Sequence, residues 1–208
     1  LDRRLPKEKP RPDERELLED IAERTWAFFE TFAGEGRGYI PPDNFQQEPE
    51  KRPAVNTSPT NIGMAMAAAV SAAELGLITA DELEKRLSGT MDTVDKMQKW
   101  HGHLYNWYRT DTLEVMRPRY VSTVDSGNFC ACLITGSMAL KKYGREDVAA
   151  RLERAARETD FSALYDAERK LFRIGYDGDA CELSNSWYDL LASEARLTSL
   201  IAVALGSV

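Results

Sequence analysis

The sequence has few of the residues that form disulfide frameworks or hold metal ions. Its 208 residues include three cysteines and two histidines. Cys130 and Cys132 lie in an apolar stretch, and an odd total argues against a disulfide framework and for a reducing compartment. His101 and His103 are spaced like two metal ligands, but no third ligand stands near them in the sequence. We therefore expect no metal site and no cofactor.

The sequence also lacks an excess of positive charge and a long hydrophobic run. Lysine and arginine number 27 against 34 acidic residues, a net charge of −7. This balance argues against nucleic acid and a polybasic membrane patch, so a neutral or polar substrate fits better. The most apolar stretch, residues 62–80, contains Ser71 and Glu74 and favours a buried helix over a membrane span. Residues 1–15 are charged and contain prolines, unlike a signal peptide.

Helical periodicity dominates the rest of the chain. The predicted helices cover about residues 13–32, 60–75, 80–97, 126–143, 146–159 and 187–205. The third begins at a capping box, Thr79–Glu82. The apolar stripe predicted for the first helix comprises Leu17, Leu18, Ile21, Thr25, Phe28, Phe29 and Phe32. Alternating, turn-rich segments at residues 103–116 and 161–176 predict β-hairpins.

Amphipathic helices alternate with helices that are apolar on nearly every side. A helix of the second kind must be covered all round, so the alternation indicates an inner and an outer layer. The predicted fold class is all-α: a partial α/α toroid of three helical hairpins at residues 13–208, after a lead-in at residues 1–12. A full ring of this kind has six pairs, so about half is here. We expect the remaining half, neighbouring domains or a second copy to cover its apolar flanks.

A polar segment precedes each apolar helix. We call these segments the first, second and third entrance: Asn56–Asn61, Ser122–Asn128 and Ser184–Asp189. In a toroid with parallel inner helices the three entrances meet on one face, where amides, carboxylates and nearby aromatic rings suit a sugar. The alternative is that each segment only caps a helix, since Ser, Thr, Asn and Asp are preferred N-caps.

Glycoside chemistry normally uses two carboxylates that flank the bond. The candidates are Asp125, Asp189 and Glu194. Glu194 is predicted to lie inside the sixth helix, where it would not act as a cap. The sequence assigns no pair of these residues to acid and base roles.

Six runs of the sequence resemble the central region of cyclic β-1,2-glucan synthases, in order from about Glu23 to the C-terminus. They are Thr25–Phe32, Pro41–Phe45, Thr57–Gly63, Gly102–Tyr108, Tyr120–Asn128 and Tyr188–Arg196. The sequence departs from the family at Asn56, where we expect arginine, and at Trp187, where we expect tyrosine.

The resemblance implies a membrane-bound parent enzyme that makes β-1,2-glucan from UDP-glucose. It also implies that a central glucoamylase-like (α/α)6 domain closes the ring by transglycosylation, as a soluble part on the cytoplasmic side of the inner membrane. By the same resemblance the catalytic glutamates lie beyond Val208, so this stretch alone should be inactive. It would contribute residues that bind a β-linked glucan oligosaccharide: Asn61, Tyr105, Trp107, Asp125, Asn128, Tyr188, Asp189 and Glu194. A hydrolase or phosphorylase of the same ring class and a non-catalytic scaffold remain alternatives.

Overall fold

The computed structural model of the chain describes residues 11–190 and 192–208. Most of the predicted lead-in, residues 1–10, therefore lies outside the described residues. The six α-helices, α1 to α6 in chain order, are Pro12–Phe32, Pro59–Glu74, Ala80–Val94, Thr123–Lys142, Glu146–Glu158 and Ala195–Leu205. Within the described ranges no helix is both long and apolar enough to cross a membrane.

Hydroxyl groups fix the starts of three of these helices. The side chain of Ser58 accepts from the backbone of the third residue of α2, and Thr79 and Ser122 do the same for α3 and α4. Each cap satisfies an amide that has no partner inside the helix. The predicted capping box is confirmed for its hydroxyl, whereas the Glu82 carboxylate accepts from Arg86 at 2.8 Å.

The predicted two-layer arrangement is confirmed. Helix α4 packs against α2 on one side and α6 on the other, while α1, α3 and α5 form the second layer. Glycines allow the inner helices to approach closely. A Cβ atom at Gly63 would lie 3.2 Å from Phe129 Cα, and one at Gly127 would lie 2.7 Å from Thr198 Cα. Side chains at these positions would push α4 away from its neighbours.

Helix α3 buries the apolar stripe that its sequence predicts. Leu83, Leu87, Met91 and Val94 are each at most 1% exposed. These residues form one core with the inner helices, which accounts for the stability of the outer layer better than its surface ion pairs do.

The stripe predicted for α1 is wrong in its first half, whereas its phenylalanines are half-buried. Leu17, Leu18 and Ile21 are 59%, 56% and 48% exposed, and Trp26 is the buried residue of this helix. Helix α1 packs against α2, and its C-terminal half reaches the core through Trp26 and Phe29. Periodicity identifies an apolar face correctly but not what lies against that face.

Short strands connect the helices. In chain order, β1 to β11 are Phe45–Gln46, Arg52–Pro53, Asn56–Thr57, Lys99–Trp100, His103–Leu104, Tyr108–Arg109, Tyr120–Ser122, Tyr165–Asp166, Leu171–Phe172, Gly175–Asp177 and Glu182–Leu183. Five antiparallel units result: β1 with β2, β3 with β6, β4 with β5, β8 with β9, and the three-stranded order β11-β10-β7. The two predicted hairpin regions are confirmed, and strand β7 leads directly into α4.

The predicted start of the sixth helix is wrong. Helix α6 begins at Ala195, not at Trp187, and Glu194 is its N-cap residue rather than a residue inside it. The chain before it runs antiparallel to β10 and the residues that precede β10. Tyr188 N donates to Phe172 O at 2.9 Å, and Arg173 forms a β-bridge with Trp187. Backbone groups that take part in this ladder are not available for a helix.

Candidate functional site

The first and second entrances meet at the N-terminal ends of α2 and α4. Thr60 Oγ1 donates to Asp125 Oδ1 at 2.6 Å, across 65 residues of sequence. Asn128 Nδ2 donates to the same Thr60 hydroxyl at 3.1 Å. The serines of both entrances act as caps, so the capping interpretation holds for Ser58 and Ser122. The side chains of Thr60, Asp125 and Asn128 do not cap a helix and contact each other instead.

The loop between β5 and β6 adds an aromatic ring to this cluster. With its amide nitrogen towards the carboxylate, Asn106 Nδ2 donates to Asp125 Oδ2 at 2.9 Å. The Asn106 oxygen then accepts from Trp107 Nε1 at 3.1 Å. This orientation follows from the partners, since the reverse would set oxygen against a carboxylate and nitrogen against an N–H group. We call Thr60, Asn106, Trp107, Asp125 and Asn128 the Asp125 network.

Asn61 lies beside this network but has a different partner. Its amide nitrogen donates to Asp43 Oδ1 at 2.8 Å, and Asp43 comes from the proline-rich loop before α2. Asp43 is exposed and Asn61 is half-buried, so this pair presents a carboxylate and an amide to solvent next to α2.

Tyr105 does not face this surface. It is 5% exposed and belongs to the hydrophobic core. A Cβ atom at Gly178 would lie 2.9 Å from Tyr105 Cε1, so the ring packs closely against that turn. That Tyr105 contacts substrate therefore stays a prediction: between β5 and β6 the ring of Tyr105 packs in the core, whereas Trp107 is half-buried.

The third entrance reaches the other two through Tyr188. Its phenol is half-buried; burial raises the pKa of Tyr188, and the nearby Tyr120, Glu194 and Asp125 raise it further. Glu194 and Asp189 are exposed. Within the described ranges, the structure does not bring Asp189 into the Asp125 network, because this residue precedes the helix by several positions instead of opening it.

Trp187 anchors the third entrance away from the network. Its indole Nε1 donates to Asp166 Oδ2 at 3.0 Å, and the guanidinium groups of Arg169 and Arg173 lie 4.2 and 5.0 Å from the centre of its ring. The backbone amide of Arg169 is the main cause of the lowered pKa of Asp166. Cation–π contacts and a charged acceptor together hold this segment on the β8–β9 hairpin.

A buried histidine supports the second entrance from below. His103 Nε2 lies 2.9 Å from Asp160 O and Nδ1 lies 2.9 Å from Ser126 Oγ. Because a carbonyl only accepts, the neutral ring carries its proton on Nε2. Nδ1 is then an acceptor, and the single hydroxyl proton of Ser126 is shared between Nδ1 and Ser122 O, which also lies at 2.9 Å. Burial lowers the pKa of His103 to about 4. His103 thus packs in the core, whereas His101 is exposed and its Nδ1 lies 3.8 Å from Asp160 Oδ2.

Sequence reasoning missed three members of this surface: Asp43, Thr60 and Asn106. Each lies within a run that carries the family resemblance or next to a predicted residue. Thr60 precedes Asn61, and Asn106 separates Tyr105 from Trp107. Their position beside predicted residues could have marked them as candidates. Which side chain each of them contacts, however, depends on the packing of segments that are distant in the sequence.

Comparisons with known proteins agree with this architecture. Cyclic β-(1,2)-glucan synthase NdvB of Rhizobium meliloti (strain 1021) is 30% identical over an alignment covering 93% of this chain and 11% of that protein. The resemblance drawn from the sequence runs is thereby confirmed. This chain spans only about a tenth of the length of that relative. The match therefore does not transfer the activity of the whole relative to this chain.

Solved structures share the fold. The endo-β-1,2-glucanase from Chitinophaga pinensis, solved with sophorotriose and glucose, superposes with a TM-score of 0.74 at 14% identity, over 91% of this chain and 47% of that one. The β-1,2-glucanase from Parabacteroides distasonis gives 0.76 at 16% identity, over 93% and 28%. The chain thus has the fold of about half, or less, of these enzymes.

A family model described as "Protein of unknown function (DUF3131)" matches residues 20–132, just over half of the chain. This stretch contains the first entrance, the β5–β6 loop and the second entrance, which together supply the whole Asp125 network. The chain belongs to the DUF3131 family.

Proposed function

We propose that this chain forms part of a carbohydrate-active domain that acts on β-1,2-glucan, and that it supplies sugar-binding groups at the meeting point of its entrances. The observation that carries the proposal is the Asp125 network: amides, a hydroxyl, a carboxylate and an indole converge where two helix N-termini meet. Hydrogen-bonding groups beside a flat aromatic face suit a pyranose ring. The relatives are named for β-1,2-glucan synthesis and β-1,2-glucan cleavage, which supports the proposed linkage.

The groups proposed to meet the sugar are Asn61, Trp107, Asn128, Tyr188 and Glu194, which are half-buried or exposed. Asp189 stays in the proposal as an exposed group at the edge of the third entrance. Asp125 contributes from behind, since partners occupy both of its oxygens. The reaction proposed for the complete domain is ring closure by transglycosylation, with the catalytic acid and base supplied outside this chain, on the cytoplasmic side of the inner membrane.

Hydrolysis is the second candidate reaction, and the similarity to two β-1,2-glucanases favours it over phosphorolysis. The products distinguish the reactions when the full-length parent protein acts on linear β-1,2-glucan. Transglycosylation gives rings, each lighter than its linear counterpart by one water. Hydrolysis gives new reducing ends, and phosphorolysis requires phosphate and gives glucose 1-phosphate.

The binding proposal is tested on this chain by saturation-transfer NMR with linear β-1,2-gluco-oligosaccharides, with β-1,4-linked oligosaccharides as the control. We expect saturation transfer to the β-1,2-linked sugars, reduced about tenfold in apparent affinity by Trp107→Ala, because loss of one stacking partner costs about 1.4 kcal/mol. Tyr143→Ala is the matched control, since this aromatic side chain lies at the C-terminal end of α4, away from the entrances, where its phenol donates to Glu74. Equal signals from both linkages would contradict the proposed linkage, and no signal from either sugar would support the scaffold alternative.

We also propose that the missing half of the ring covers the apolar flanks of this chain. Leu17 and Leu18 are exposed on α1 at one end, and Leu200 and Val203 are 65% and 64% exposed on α6 at the other. Exposed apolar residues concentrated at the two ends of an array indicate surfaces that need a neighbour. Sedimentation velocity at rising concentration should show self-association of the chain alone, and a monomer throughout would count against these flanks.

A further inference from the structure

The indole of Trp107 lies at the end of a chain of hydrogen bonds that passes through Asp125. Trp107 Nε1 donates to Asn106, and Asn106 donates to Asp125 Oδ2, at 3.1 and 2.9 Å. On the other side, Asp125 Oδ1 accepts from Thr60 at 2.6 Å, and Thr60 accepts from Asn128 at 3.1 Å. Five side chains from α2, α4 and the β5–β6 loop are thus joined, and donation runs from both ends towards the Asp125 carboxylate.

Partners within this chain engage both oxygens of Asp125, and all five side chains of the Asp125 network are half-buried. Asp125 lies in the first turn of α4, where the helix dipole favours a negative charge. Its backbone is fixed by the Ser122 cap at 3.2 Å. The carboxylate is therefore held by its own helix and can hold other groups in turn.

We propose that Asp125 is a positioning residue: its carboxylate fixes the Asn106 amide, and that amide sets the plane in which the Trp107 indole faces the sugar. The role in sugar binding rests on the function proposed above. The orientation of the indole does not, and it can be measured without any sugar.

The Asp125 network requires a hydrogen-bond acceptor at position 125, not only a side chain of similar shape. Asn106 must donate on one side and accept from the indole on the other, and it can do so only if position 125 offers it an oxygen. In Asp125→Asn, the introduced side chain would offer Asn106 an amide nitrogen if its oxygen remained on Thr60. Asn106 would then turn its own oxygen towards position 125, and its nitrogen would face the indole N–H. A donor facing a donor leaves the indole unpaired.

Exchanging the two residues restores every hydrogen bond. In the double variant Asp125→Asn with Asn106→Asp, the new amide accepts from Thr60 through oxygen and donates through nitrogen to the new carboxylate. That carboxylate still accepts from Trp107 Nε1. The net charge is unchanged, and the negative charge moves from position 125 to position 106, its neighbour in the network.

The experiment follows the indole N–H resonance of Trp107, assigned by its loss in Trp107→Phe, together with affinity for linear β-1,2-gluco-oligosaccharides. In Asp125→Asn we expect faster solvent exchange of that N–H and about tenfold weaker sugar binding, the value of one hydrogen bond of about 1.4 kcal/mol. The exchanged double variant should recover the exchange rate and the affinity to within about threefold, allowing for imperfect geometry.

Asn106→Ala should lose both the slow exchange of the indole N–H and the sugar affinity, without changing any charge. It replaces Asp125→Asn in the experiment if that variant folds poorly by circular dichroism. Asp111→Asn removes an exposed carboxylate that pairs with Arg109 in the turn after β6; it is the matched control and should leave the indole unchanged.

The outcomes separate positioning from contact. An indole resonance unchanged in Asp125→Asn and Asn106→Ala would overturn the proposal. So would a double variant that recovers the indole but not the affinity, since the charge of Asp125 would then contact the sugar itself. If no variant, nor the original chain, binds sugar while the indole follows the exchange, positioning stands and the proposed function fails.

Discussion

The first two entrances and the third have similar composition but different structures. At Asn56–Asn61 and Ser122–Asn128 a serine hydroxyl accepts from the helix backbone, and the helix begins at the next residue. At Ser184–Asp189 the chain remains extended beside β10 and the residues before it, and Ser184 Oγ accepts from Ser186 N in a local turn. Serine and asparagine thus mark a helix start only where the following amides are not already paired with another strand.

This difference divides the surface into two parts: the first two entrances, whose side chains are hydrogen-bonded to each other, and the third entrance, which is attached to the β8–β9 hairpin. The side chains of the first two entrances are joined through the Asp125 network and rest on a buried histidine. The third entrance is held by Trp187 and a backbone ladder at the periphery. Local opening is expected where few buried contacts hold a segment, so the third entrance is the part of the surface whose position a ligand or a neighbouring domain can alter at least cost.

The largest expected effect that tests this division is acid destabilisation through His103. The unfolded pKa of histidine is about 6.5, and burial lowers the folded pKa to about 4. The unfolded chain binds the proton first, so this contribution to stability is complete above the unfolded pKa and is lost as pH falls through the folded one. The loss is on the order of 3 kcal/mol, to be measured by urea unfolding between these two pH values.

A variant without a titrating ring isolates the contribution of His103. His103→Gln can keep a donor towards Asp160 and an acceptor for Ser126, so we expect it to remove most of the pH dependence in this window. The protection factor of the Asp125 amide, which corrects its exchange rate for the intrinsic pH dependence, should fall with acid in the original chain and much less in the variant. An equal acid response in both would assign the effect to other groups and remove the histidine as the support of the second entrance.

A smaller effect is expected at the anchor of the third entrance. Trp187→Phe keeps an aromatic face for Arg169 and Arg173 but removes the donor to Asp166. Asp166 retains other partners, so we expect a loss of about 1–2 kcal/mol. Hydrogen exchange should show faster exchange at the Tyr188 amide and no change at the Asn61 amide. Faster exchange at both would show that the three entrances form one cooperative unit and would contradict the division.

How far the sequence predicts this molecule depends on whether the determining contact is local. Periodicity predicts α3 and its stripe of Leu83, Leu87 and Met91, because a helix and its apolar face are properties of one segment. It fails at the first half of α1, where exposure depends on what lies beside the helix.

The surface shows the same limit. Parallel inner helices predict that the first two entrances meet, and the Thr60–Asp125 bond confirms it. That Thr60 and Asn106 are the contacting groups, and that Tyr105 turns into the core, depends on register between segments far apart in the sequence. The prediction for the third entrance fails for the same reason, since its ladder with residues 172–177 is not visible in its own composition.

The smallest effects compare the helix starts directly. Ser58→Ala and Ser122→Ala each remove a hydroxyl that accepts from a first-turn amide, so each should lower the free energy of unfolding by about 1 kcal/mol. Glu194, the N-cap residue of α6, makes no side-chain cap bond, so Glu194→Ala should stay within about 0.5 kcal/mol of the original chain. Thr79→Ala, which removes the cap of α3 away from the entrances, calibrates the expected loss by thermal unfolding. A loss at Glu194 equal to that at the serines would mean that α6 is stabilised at its start like the other two inner helices. The distinction between the first two entrances and the third would then depend on Trp187 alone.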